Sequence, residues 1–341
     1  MKITLKDVIQ LVISLGLGVL IFYLVYKGLN IAEMKGLISK ANYGYLLMPI
    51  VLCILSSVVR ALRWNMLIEP LGKRPSLRNT FCAVMYGYFI NHLFPRAGEI
   101  ARCGVLKKYE GISFTELVGT VITERAFDLI VTLLIVFTSV VVEFDVFKGV
   151  ISQVSVFERI GSVLSSPLLW VCVAAFVLLL FILRKWINQL TIMGKIKKVM
   201  AGILNGLKSF TKVKNKPLFL VYSVLIFFIY YLMLYTSFKV FSFTSGLGPE
   251  AGLTTYVFGA LGMLVPVQGG IGTYEFMTIQ ALLIYGISAT QGGAFAVLAH
   301  LVEIIVNSVV GFGCSMALPF INRGKNQDGE QEQSEETKVN Q

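Results

Sequence analysis

The chain has 341 residues, of which 56% are hydrophobic and only 14% charged, and its mean hydropathy is +0.76. This excludes an ordinary water-soluble domain, where about a quarter of the residues carry charge, and points to a polytopic membrane protein. The net charge of +11 does not point to nucleic acid, because the lysines and arginines lie between apolar runs rather than along one amphipathic face.

In chain order, the first apolar run, 8–26, follows Lys2 and Lys6 and resembles a signal peptide. No small-x-small cleavage site follows it before Lys27, so it is expected to be a retained first helix. Further runs at 43–59, 117–142, 168–183, 217–243 and 289–318 are near or above the ~17–25 residues that cross a hydrocarbon core. Six crossings are therefore the minimum. Arg60, Arg63 and Trp64, at the end of the second run, have the character of interfacial anchors. Two segments are too short to span: 81–94, ending at Pro95, and 256–265, ending at Pro266. Each leads through a glycine-bearing link into a second short arm, which predicts two re-entrant helical hairpins. The stretch 184–216 mixes lysines with Ile187, Leu190 and Ile196, as in a helix lying on the cytoplasmic leaflet. The domain is expected to end near residue 320, followed by a disordered polar cytoplasmic tail, 321–341. Cys53, Cys82, Cys103, Cys172 and Cys314 stand singly, so no disulfide, metal site or cofactor is expected.

The chain carries the same signature twice. Gly111-Ile112-Ser113 is followed twelve residues after the serine by Arg125 and three further by Asp128; Gly286-Ile287-Ser288 is followed at the same offsets by His300 and Glu303. A basic and an acidic residue at i, i+3 share a helix face; ionisable groups deep in a membrane helix mark a pathway or site, and the alternative for Arg125, Asp128 and Glu124 is a buried structural salt bridge that fixes helix packing. The expected fold is an all-α inverted repeat, with pseudo-repeats at about 1–145 and 165–320. Each half would contain two spanning helices, one re-entrant hairpin and one further spanning helix. The segments 60–78, 96–108 and 184–216 hold five, four and nine lysines and arginines, whereas 143–167 and 242–251 hold two and none. Placing the basic segments inside puts both termini in the cytoplasm of a multi-pass inner-membrane protein.

Four stretches in order, Arg60-Ala61-Leu62-Arg63-Trp64, Asn91 to Arg102, Thr123 to Asp128, and Pro266 to Glu275, resemble the lysylphosphatidylglycerol synthase transmembrane region family, also called the flippase-like domain. The resemblance covers about residues 5–320. It implies movement of lipids or lipid-linked compounds across the bilayer, while aminoacyl transfer in that family belongs to a soluble domain this chain lacks.

The candidate substrate-binding set is Arg125, Asp128 and Glu124, His300 and Glu303, the first-hairpin residues Asn91, Arg96, Glu99 and Arg102, and Tyr274 and Glu275 of the second hairpin. Arginine suits a lipid phosphate because its fork of donors matches phosphate oxygens. A carboxylate receives an ammonium group or a coupling proton. Asn91 and His92 have a second reading, as caps for backbone freed by the hairpin break. The expected function is non-enzymatic transbilayer movement of a phospholipid or polyprenyl-linked lipid. The alternatives are an intramembrane headgroup transferase and a scaffold for a separately encoded lipid synthase or glycosyltransferase. A homo-oligomer is compatible with each reading.

Overall fold

The computed structural model describes residues 5–94, 97–144, 208–265 and 267–323, with side chains from residue 16 onward. Every regular element among them is helical. The helices are α1 (Leu5–Tyr26), α2 (Ile31–Ser39), α3 (Leu47–Ile68), α4 (Leu77–Leu93), α5 (Gly98–Glu110), α6 (Phe114–Val142), α7 (Lys216–Ser237), α8 (Pro249–Gly262), α9 (Thr273–Ile284) and α10 (Ala289–Ile321). The expected span at 168–183, most of the basic stretch 184–216, the tail beyond 323, and Pro95, Arg96, Cys172 and Pro266 lie outside the described residues.

Among the described residues four stretches are long and apolar enough to cross a membrane: Tyr43–Leu71, Phe114–Val142, Lys216–Val240 and Ala289–Ile321. The α1–α2 pair, bent by 92°, supplies a fifth if counted as one span. Their starts carry the expected signals. Asn215 accepts from Leu218 N, with Pro217 in the first turn of α7, and Ser288 with Gln291 forms a capping box on α10. Leu129, Ile130, Leu133, Leu134 and Phe137 of α6 face outward, as suits a helix in a hydrocarbon solvent.

One boundary differs from the hydropathy reading. The second span does not stop at residue 59; α3 runs on to Ile68 and buries Arg60, Arg63 and Trp64. The helix continues because these side chains find buried partners there, so they are not interfacial anchors.

α4 and α5 pack antiparallel. At the open end, Ser76 N and Asn79 Nδ2 donate to Glu110 Oε1 at 3.0 and 2.6 Å. At the tip, a Cβ on Gly98 would meet the Gly87 carbonyl, and Gly98 N donates to Asn91 Oδ1 at 2.7 Å. α8 and α9 form a second antiparallel pair, with Gly262 against Thr273 and Gly259 against Tyr274 and Thr278. Each second arm ends at a left-handed glycine, Gly111 (φ 62°) or Gly286 (φ 77°). The serine two residues later is the N-cap of a long helix, Ser113 for α6 and Ser288 for α10. The repeated Gly-Ile-Ser is therefore a repeated turn.

α10 gives both pairs a common ruler. Asn322 Oδ1, just past its end, accepts from Asn79 Nδ2 at the open end of the first pair (2.8 Å). Ser308 Oγ meets His92 Nδ1 at that pair's tip (3.1 Å). From the other end, Gly292 lies against Ile279, and His300 reaches Glu275 near the tip of the second pair. The first pair thus runs inward from the carboxyl end of α10 and the second from its amino end. The tips meet, with Gln268 Nε2 donating to the carbonyls of His92 and Leu93 at 2.5 and 3.0 Å.

Candidate functional site

Arg60, Arg63 and Trp64 share one face of α3 at i, i+3, i+4, and Thr120, Glu124 and Asp128 share one face of α6 at i, i+4, i+8. These two faces meet. Arg60 Nη1 lies 2.6 Å from Glu124 Oε1 and 3.2 Å from Asp128 Oδ2. Arg63 Nη2 lies 3.1 Å from Glu124 Oε1 and 2.7 Å from Asp128 Oδ1. From α5, Arg102 Nη1 reaches Glu124 Oε2 at 3.0 Å. Trp64 Nε1 donates to Thr120 Oγ1 at 2.9 Å, and the Arg102 guanidinium lies over the Trp64 ring, 4.4 Å from its centroid.

Arg125 completes the group from a different position. It contacts Glu124 at 3.1 Å and its expected i, i+3 partner Asp128 at 3.5 Å. Its side chain is 45% exposed, however, whereas those of Glu124 and Arg63 are fully buried. Four guanidiniums therefore surround two carboxylates, leaving two positive charges formally unmatched within the network. Glu99 acts on Arg125 at longer range. Arg63 Nη1 and Arg102 Nη2 are buried with no acceptor among the described residues. Asp128 is the midpoint of the 29-residue α6, so the network sits about 21 Å from either end of that helix. Tyr230 OH accepts from Arg60 Nη2 and meets Tyr88 OH, both at 3.3 Å.

The second expected pair is repartnered. His300 Nδ1 contacts Glu275 Oε1 at 2.8 Å, not Glu303. Glu275 is fixed on the first turn of α9, where its Oε2 accepts from Gly272 N at 2.6 Å, and this places its other oxygen before the imidazole. Tyr274 lies against the same ring, centroids 4.5 Å apart. Asn91 takes the capping role described above, and Arg96 lies outside the described residues.

Sequence reasoning missed three residues. Arg60 and Arg63 were hidden by ending the span where hydropathy falls, although their i, i+3 spacing with Trp64 at i+4 was readable as one helix face. Gln268 was passed over among the glycines of its turn. A polar side chain in a helix break within an apolar stretch is the signal that identifies it, because carbonyls freed by the break need donors.

Comparison with known proteins settles the family. The lysylphosphatidylglycerol synthase TM region matches residues 8–311. The chain belongs to that family. Among relatives of the synthase TM region, a UPF0104 membrane protein of Methanothermobacter thermautotrophicus is 23% identical over 84% of this chain and 88% of its own length. The UPF0104 membrane protein MJ1078 of Methanocaldococcus jannaschii is 30% identical over 67% of this chain and 92% of its own. MJ1595 of the same organism is 32% identical over 43% of each chain, so that alignment spans less than half of the relative. No solved structure matches.

Proposed function

We propose that the protein moves a phosphate-bearing lipid, a phospholipid or a polyprenyl-linked lipid, across the cytoplasmic membrane without modifying it. The observation that carries this reading is the excess of arginine over carboxylate at the middle of α6, with buried guanidinium N–H groups of Arg63 and Arg102 lacking acceptors. A purely structural network is favoured when charges and donors balance; this one has the donor surplus an anion would use. Arg125 forms its accessible edge, and Glu99, in the first turn of α5, acts on that arginine.

The reading includes an inverted repeat, for which the opposed directions of the two hairpins along α10 and the repeated Gly-Ile-Ser turn give support. In it the hairpins are re-entrant, the residues to about 320 form a single domain, and both termini are cytoplasmic. A separately encoded synthase is a compatible partner, and nucleic acid is not one.

The test uses purified full-length protein in vesicles containing a fluorescent phosphatidylglycerol, with dithionite quenching to follow its sidedness and mass spectrometry to follow its headgroup. Relocation of an unmodified probe is expected. A charge-assisted hydrogen bond is worth roughly 1.5–3 kcal/mol, so Arg125→Gln is expected to slow relocation by about 10- to 150-fold. A modified headgroup would establish the transferase reading, and neither relocation nor modification would leave the scaffold.

A further inference from the structure

Glu303 is the fifteenth of the 33 residues of α10, about 21 Å along that helix. It forms no hydrogen bond or ion pair among the described residues. It is half-buried and lines a cavity of about 20 Å³ with Cys53 of α3, Ser237 of α7 and Tyr274 of α9. His300, one turn earlier on α10 itself, acts on it, and the charge of Glu303 in turn reaches Cys53, Tyr256 of α8 and Tyr274. α7 offers the Ser237 hydroxyl, which donates to Met233 O. α4 brings His92 only as far as Ser308, and α2 packs apolar Met34 and Leu37 near Ala294.

His300 is the one basic group in this set, and its Nδ1 is committed to Glu275. One imidazole thus serves two carboxyls, so ionising both leaves a net negative charge deep in the span even when His300 is protonated. Such a charge is expensive there, and a neutral Glu303 removes the cost. The size of the cavity selects the ligand. A water needs about 10–15 Å³, so the space admits roughly one. A thiol and a committed hydroxyl do not make the oxygen shell a hard cation requires.

We infer that Glu303 is a proton-carrying site: its carboxylate takes up a proton through the one-water cavity and gives it back as an anionic headgroup passes the arginine network. The coupling to headgroup passage rests on the lipid-movement reading above; the proton site does not.

Infrared difference spectroscopy of the purified full-length protein, titrated in detergent, tests the site directly. A protonated-carboxyl C=O band that titrates in the wild type, persists in Glu303→Asp and is lost in Glu303→Gln is expected. Absence of the band, or its survival in Glu303→Gln, overturns the proposal even if lipid movement is normal. In vesicles with fluorescent phosphatidylglycerol, an imposed pH gradient is expected to change the wild-type rate, and this response is expected to be lost in Glu303→Gln. An equal response in both overturns the coupling. If wild-type vesicles move no probe, the lipid-movement reading and the coupling fail together, and the infrared result alone decides the proton site.

Discussion

Arg63 and Arg125 bind the same two carboxylates from opposite surroundings, and their difference separates a role in stability from a role in the proposed lipid movement. Arg63 is fully buried and contacts Glu124 and Asp128, and its removal takes from Asp128 Oδ1 the guanidinium that meets it, a loss of about 1–3 kcal/mol. Arg125 reaches the same groups with a side chain 45% exposed, where a pair contributes roughly 0–1 kcal/mol. Arg63→Gln is expected to lower the thermal midpoint strongly, and Arg125→Gln to leave it near wild type while slowing lipid movement. Equal midpoints in a fluorescence-detected melting assay would contradict this division. Arg125, Asp128 and Glu124 were legible in the sequence because charge inside an apolar run is conspicuous. Arg63 was not, because at the end of a run a guanidinium in a network and one at the interface look alike. His300 was conspicuous for the same reason as Arg125, but its partner was not, since the contact with Glu275 joins residues 25 apart in sequence.

At the scale of elements, close approach is made by single glycines, and α10 offers an internal control. A Cβ on Gly311 would run into the Met85 carbonyl and lie 2.7 Å from Phe89 Cβ, whereas one on Gly313 meets nothing within 4 Å. The obstacle at Gly311 includes α4 backbone, which cannot rotate away, so α10 must shift off the first hairpin. Gly311→Ala is expected to destabilise the protein and loosen the His92–Ser308 contact. Gly313→Ala gains helix propensity of about 1 kcal/mol with no clash, and is expected to be neutral or stabilising. Similar melting curves for the two would show that the α4–α10 contact is not tight. The two antiparallel pairs were readable from the short segments before Pro95 and Pro266, although their first arms begin earlier, at Leu77 and Pro249. The meeting of their tips was not, because the hydrogen bonds from Gln268 to His92 and Leu93 span more than 170 residues and leave no local trace.

For the whole molecule, the contacts sort the loops onto two ends before any membrane is invoked. Lys214 Nζ and Arg74 Nη2 both meet Glu69 Oε1, at 3.2 and 2.8 Å, which puts the start of α7 beside the end of α3. Asn322 joins Asn79, following the same loop. At the other end of α3, Asn42 N donates to Val240 O at 2.9 Å. The first end carries exposed Lys73, Arg74, Arg78, Lys107, Lys108, Lys208, Lys212, Lys214, Lys216 and Arg323; the second carries Lys27, Lys35, Lys40 and Lys239. That asymmetry survives the loss of Arg60, Arg63 and Arg102 from the loop count, since these three are buried, and it supports the proposed orientation, with the first end in the cytoplasm. Single cysteines at the exposed positions Lys73, Lys214 and Arg323, in a cysteine-free background, are therefore expected to react with an impermeant maleimide only from the cytoplasmic side, and one at Ser242 only from outside. Because α3 and α7 are long enough to cross the membrane, labelling of Lys73→Cys and Ser242→Cys from one side would require both helices to lie within a single leaflet. That outcome would remove the opposed hairpins and, with them, the central position of the arginine network on which the lipid-movement reading depends.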